Sequence, residues 1–168
     1  MPNGPRYDDD FYAWTQHQAA VLREMPATDN RFDREHVAEE IEGLGKSERD
    51  AVRSQIRRII EHLLKLAHSP AQQPPRFVWL DTIDDARETL SDKMTPTLLR
   101  DAEVSLNKLY DQARRRVART LQRCGEAAAA DALPQACPYS LDDICREDWF
   151  PEYQDPSRDS CGPAATAT

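Results

Sequence analysis

Histidine and carboxylate are the side chains that bind divalent cations and move protons near neutral pH. This 168-residue chain has four histidines, His17, His36, His62 and His68, and the acidic residues nearest them in helical terms are Asp10, Glu39, Glu40 and Glu61. A di-iron helical bundle uses Glu-x-x-His pairs on two helices. Here the order is reversed, His36-x-x-Glu39 and His36-x-x-x-Glu40, with no second copy, and H-E-x-x-H is absent. No metal ligand set and no cofactor is therefore assigned. One grouping remains: where the first two helices meet, Asp10, Trp14, His17, His36, Glu39 and Glu40 are expected to form a carboxylate and imidazole cluster. Such a cluster could take a divalent ion or a polar ligand, and a hydrolase would be its enzymatic form. The plainer reading makes Glu39, Glu40 and Glu42 the solvated acidic start of a helix, where negative charge suits the dipole. Nucleophilic catalysis finds no G-x-S-x-G, no Gly-rich phosphate loop and no cysteine beside a histidine, so no catalytic residue is assigned.

Charge narrows the partners. A net −8 disfavours nucleic acid and anionic membrane. Against that total, Arg114, Arg115, Arg116, Arg119 and Arg123 form one basic patch. It either complements a helix C-terminus and pairs with Asp111 and the acidic surface, or meets an acidic or phosphate-bearing partner. The four cysteines, Cys124, Cys137, Cys145 and Cys161, contain no C-x-x-C and no intervening histidine. Zinc is a poor fit, and with no export signal or bilayer-length apolar run the expected location is the cytoplasm, with the thiols reduced.

Helices must position these residues. Val37, Ile41, Leu44, Val52, Ile56, Ile59, Leu63 and Leu66 recur at helical spacing, in columns about eleven residues apart, which predicts one unbroken helix over Asp33 to Ala67. Asp33 is its expected cap, with Phe32 stapled onto Val37, and His68, Ser69 and Pro70 signal its end. Gly45 shares a column with Ile56 and Ala67 and so should be a packing residue, whereas Gly43 should face outward. Glu48 and Gln55 point toward the core or its rim and need partners there. Before this helix, Asp8 to Asp10 precede a first one with an apolar face of Phe11, Trp14, Gln18, Val21, Leu22 and Met25. Phe11 and Trp14 are then core residues. After the prolines of Ser69 to Arg76 comes a third helix through Trp79, Ile83, Ala86, Leu90 and Met94. Thr95-Pro96 opens a fourth, running from Leu98 to Leu121 and stopping at Gly125. Ala127 to Ala132 could continue as helix, but Leu133-Pro134 and Cys137-Pro138 favour an irregular crossing; Ser140 to Glu147 is expected to be a short capped helix, and Trp149, Phe150 and Tyr153 a tail against the bundle.

The segments D-D-D-F-Y-A-W-T-Q-H-Q-A-A-V-L-R (Asp8 to Arg23), H-V-A-E-E-I-E-G-L-G-K-S-E (His36 to Glu48), H-L-L-K (His62 to Lys65) and C-P-Y-S-L-D-D-I (Cys137 to Ile144) resemble the bacterial family catalogued as domain of unknown function twenty-nine. The resemblance spans about Tyr7 to Glu152. It implies a small all-helical protein and picks out Asp10, Trp14, His36, Glu39, Glu40, Gly45 and His62, but supplies no activity. The proline-rich approach to Trp79 departs from the family's pattern. The expected architecture is all-α: an antiparallel bundle of four main helices, one very long, plus a short C-terminal helix. It should occupy residues 7–154 as a single domain, with flexible ends at 1–6 and 155–168. The expected function is contact with a protein partner or a second copy, with neither nucleic acid nor membrane. The alternative is the metal- or ligand-binding cluster.

Overall fold

The computed structural model describes residues 4–26, 29, 31–71 and 75–155. Of the ends expected to be flexible at 1–6 and 155–168, residues 1–3 and 156–168, with Cys161 among them, lie outside these, as do parts of the loops after the first and second helices. The described chain is all helical: α1 Phe11–Glu24, α2 Arg34–His68, α3 Pro75–Lys93, α4 Pro96–Arg123, α5 Ala127–Asp131 and α6 Leu141–Cys145.

The long element organises the rest. α2 runs 35 residues without interruption through Gly43 and Gly45, about 50 Å at 1.5 Å per residue. Asp33 caps it through the His36 amide. Its C-terminal half is buried on nearly every side: Ile56, Ile59, Ile60, Leu63 and Leu64 are fully enclosed, and His68 and Ser69 are almost so. α1, α3 and α4 each pack on α2, and α6 adds a smaller contact. Glu48 finds its partner in Lys93 at 2.7 Å. The Gln55 side-chain oxygen is buried with no hydrogen bond among the described residues.

Side-chain caps mark the remaining ends. Thr95 accepts from the Leu98 amide to open α4 with Pro96 in its first turn, and Ser140 and Asp143 form a reciprocal capping box on α6. α4 ends on Gly125, whose φ of 79° lets its amide reach Gln122 and the Glu126 amide reach Leu121. That is the Schellman arrangement a glycine there favours.

Three expectations are corrected. Leu44 is 58 % exposed, and Phe32 at 55 % is no buried staple. Ala127 to Ala132 is not irregular but forms the short helix α5, whose Ala129 and Ala130 are small enough to bury against α4. α1 is rotated from the face its hydrophobicity suggests. Thr15 and Ala19 are fully buried and Tyr12 meets the core, while Phe11 and Trp14 do not join it, and Val21 and Met25 are exposed. Close approach explains the rotation: a Cβ on Gly45 would collide with the Thr15 hydroxyl, so the two helices touch through their smallest side chains.

A buried arginine fixes the end of the chain. Arg87 is 3 % exposed on the apolar face of α3. Its guanidinium donates to the carbonyls of Ile144, Glu147, Asp143 and Trp149 at 2.8–3.1 Å and lies over the Phe150 ring. Burial pushes its pKa down, with Asp84 among the opposing charges. Four carbonyls that α6 and the following turn leave open are thereby satisfied by one side chain.

Three substitutions probe these contacts. Gly43→Ala should gain up to about 1 kcal/mol in helix propensity, because nothing lies within 4 Å of the added Cβ. Gly45→Ala should lose about 1–3 kcal/mol to overpacking on Thr15; urea unfolding that raises both alike would remove the close-contact account. Arg87→Met should lower the unfolding free energy by about 2–5 kcal/mol, since it strands one buried and three partly buried acceptors. An unchanged urea midpoint would show that those carbonyls are served by water.

Candidate functional site

The residues expected to cluster between α1 and α2 are dispersed. Asp10 serves two helices at once: one carboxylate oxygen accepts from the Ala13 amide at 2.9 Å, capping α1, and the other accepts from the Thr97 amide at 3.1 Å, in the first turn of α4. Burial works to raise its pKa, but the hydrogen bonds from Ala13, Thr97 and Thr95 outweigh it and hold the group ionised below the ordinary value. His17 lies against Gly4 of the N-terminal segment. His36 is exposed and pairs with Asp33 at 2.5 Å, a contact that raises its pKa, with Glu39 adding to the effect. Glu39 and Glu40 are exposed.

Antiparallel geometry forces this dispersal. Arg23, at the end of α1, pairs with Glu35 and Glu42 near the start of α2, at 3.0 and 2.8 Å. Asp10 is therefore level with roughly residue 50, about 20 Å along the hairpin from His36. No group of three or more histidines, cysteines or acidic residues among the described residues is placed to hold a metal ion. Because α2 is unbroken, His36 and His62 also stand about 39 Å apart.

Trp14 has a different setting. Its ring meets Tyr7 edge-on at 4.9 Å and stacks near Phe11 at 6.1 Å, while Tyr7 meets Phe11 at 5.3 Å. The three rings form an array on the flank of α1, outside the core, and Val21 and Met25 continue it along the helix. Aromatic side chains normally supply core area. Here they lean on one another instead.

The other two histidines are structural. His62 meets the Arg58 carbonyl through Nδ1 at 2.8 Å, and burial lowers its pKa. His68 is 3 % exposed, and burial again favours the neutral ring. Cys124, Cys137 and Cys145 are free thiols, with burial pushing Cys137 and Cys145 up, away from the reactive thiolate. Sequence reasoning missed Arg87, although a signal existed: position 87 falls between Ile83 and Leu90 on the apolar face of α3, a core position holding a charge.

With the geometry in place, comparison with known proteins decides the family. The family model described as domain of unknown function DUF29 matches residues 6–150. The chain belongs to this family. Its resemblance in sequence is thus matched by the family model over most of its length. No curated protein matches the chain. Among solved structures it is similar to an α-helical protein of unknown function from Rhodospirillum rubrum, with 24 % identity, a TM-score of 0.72, and coverage of 92 % of this chain and 94 % of that one. The likeness shows a shared all-helical fold. It attaches no activity to the DUF29 chain. No helix among the described residues is long and apolar enough to cross a membrane.

The buried histidines give the pH dependence a sign. The unfolded chain takes up a proton at His68 near pH 6.5, whereas the folded site resists it. Stability should be complete above about pH 6.5 and decline as pH falls from there toward the depressed folded value. His62 adds in the same direction, and the exposed His36 acts weakly against it. His68→Leu should flatten the stability slope measured by urea unfolding between pH 7 and 5; an unaltered slope would remove His68 as its source.

Proposed function

We propose that this protein is a non-enzymatic cytoplasmic bundle that acts through a protein contact, and that the contact lies along the exposed flank of α1. The observation carrying the proposal is the Tyr7, Phe11 and Trp14 array packed outside the core and continued by Val21 and Met25. Aromatic and methionine side chains are enriched in the centres of protein interfaces, where their burial supplies most of the binding energy. The five side chains are partly exposed and offer on the order of 400 Å² of apolar surface. That is about half of the roughly 800 Å² per partner of a standard interface, so the strip suits a single docked helix better than a permanent dimer.

Charge specifies the occupant further. Asp8 and Asp9, the latter paired with Arg6 at 3.6 Å, stand at one end of the strip and Glu24 at the other, all exposed, in a chain of net charge −8. The partner is therefore an amphipathic helix of another protein with a basic rim around its apolar face, laid along α1.

A photo-crosslinking residue at position 11 of the full chain, in living cells, identifies the partner segment, which is then synthesised and titrated by fluorescence anisotropy. Trp14→Ala should weaken binding at least tenfold with little change in thermal stability, and added salt should weaken it as well. Affinity indifferent to Trp14 or to salt overturns the reading. Metal analysis of protein purified without chelator or nickel resin tests the rival directly. Stoichiometric metal that disappears with His36→Ala and Glu40→Ala would replace the contact function with the ligand-binding one.

A further inference from the structure

The basic patch of α4 folds against α2 to make a groove. Arg57 of α2 and Gln112, Arg115, Arg116 and Arg119 of α4 line a space of about 410 Å³, within the range of small-ligand sites. Four arginines line it. Beneath them is the carboxylate of Glu61, 7 % exposed, lying 3.6 Å from Arg116 and 3.9 Å from Arg57. Both separations exceed hydrogen-bond length, and one Glu61 oxygen is buried with no hydrogen bond among the described residues. Four positive charges against one negative leave the groove at about +3 in a chain whose total is −8.

The arginines are also pre-arranged. Arg115 and Arg119 donate their Nε protons to the carbonyls of Asp111 and Arg115, one turn back, at 3.1 and 3.3 Å. Their stems are thus held along α4 with the terminal forks still available, and neither meets a carboxylate among the described residues. Arg57 reaches Gln112 and Ser54 only at 3.5 Å, the limit of a hydrogen bond. A groove that served only to neutralise helix ends would draw the acidic residues of this chain inward. It draws one, incompletely.

We infer that this groove between α2 and α4 binds a phosphate-type oxyanion of at least two negative charges. Planar guanidinium forks match tetrahedral oxyanions by paired hydrogen bonds, and several forks converging on one space favour multiple charge over single charge. Gln112 adds an amide donor at the edge. The site lies on a different face from the α1 strip and does not depend on the contact proposed for it.

Calorimetric titration of the full chain with inorganic pyrophosphate, at ionic strength fixed with sodium chloride, should show saturable one-to-one binding. The double variant Arg115→Ser and Arg119→Ser, altered only at exposed positions, should bind at least tenfold more weakly, while Arg123→Ser, on the same helix but outside the groove, should bind as the parent does. A nucleoside diphosphate distinguishes the source: tighter binding than pyrophosphate assigns an organic phosphate ester, and equal or weaker binding assigns an inorganic one. Absence of saturable heat with both ligands, or equal weakening in the Arg123 variant, overturns the inference.

Discussion

A helix buried over most of its circumference needs cover on several sides, and the C-terminal half of α2 is such a helix, with Arg58 among the few residues it leaves exposed. From Ile56 to Ser69 every turn carries buried residues, so the chain must supply walls on most sides of it. α3 and α4 provide two, and the segment after α6 closes the end: the Gln154 amide reaches the Ala67 carbonyl at 2.7 Å, and Ser69 donates to Glu126 at 2.8 Å. These last contacts answer the orphan carbonyls and polar groups that any buried helix terminus leaves. The Arg87 clamp follows from the same need, because a wall made of irregular chain brings unpaired carbonyls with it.

The first half of α2 obeys a looser rule. α1 covers it through the Thr15 and Gly45 contact, Lys93 at the end of α3 reaches only as far as Glu48, and Arg23 of α1 pairs with Glu42 along the edge. Exposed pairs of this kind contribute at most about 1 kcal/mol each. The molecule is therefore graded, dense around the C-terminal half of one helix and thin around its start. The α1 strip and the arginine groove both lie outside the enclosed core, the groove with Arg57 of α2 as one of its walls.

How much of this could be read from the sequence depends on which physical property carried the signal. The continuity of α2 was legible because its apolar columns kept phase through two glycines, and the caps at Asp33, Thr95 and Ser140 were legible because each needs a specific oxygen at a specific offset. The rotation of α1 was not. Hydrophobicity favours Phe11 and Trp14, but the contact was decided by size, and Thr15 and Ala19 won because Gly45 lets helices approach only where neither carries bulk. The cluster of Asp10, His17, His36 and Glu40 failed for a reason of direction: in an antiparallel pair, residues near both beginnings end up far apart. Arg87 was hidden because charge on an apolar stripe reads as interruption until the four carbonyls that require it are in place.

The double cap at Asp10 has a consequence in time. The carboxylate and the Thr97 amide it holds are 87 residues apart in the chain. During synthesis at roughly 5–20 residues per second, α1 emerges some 4–17 s before the turn that will hold its far oxygen. Through that interval the hairpin of α1 and α2 rests on its own close crossing, and the ribosome's pace decides how long the newborn first helix waits to be moored.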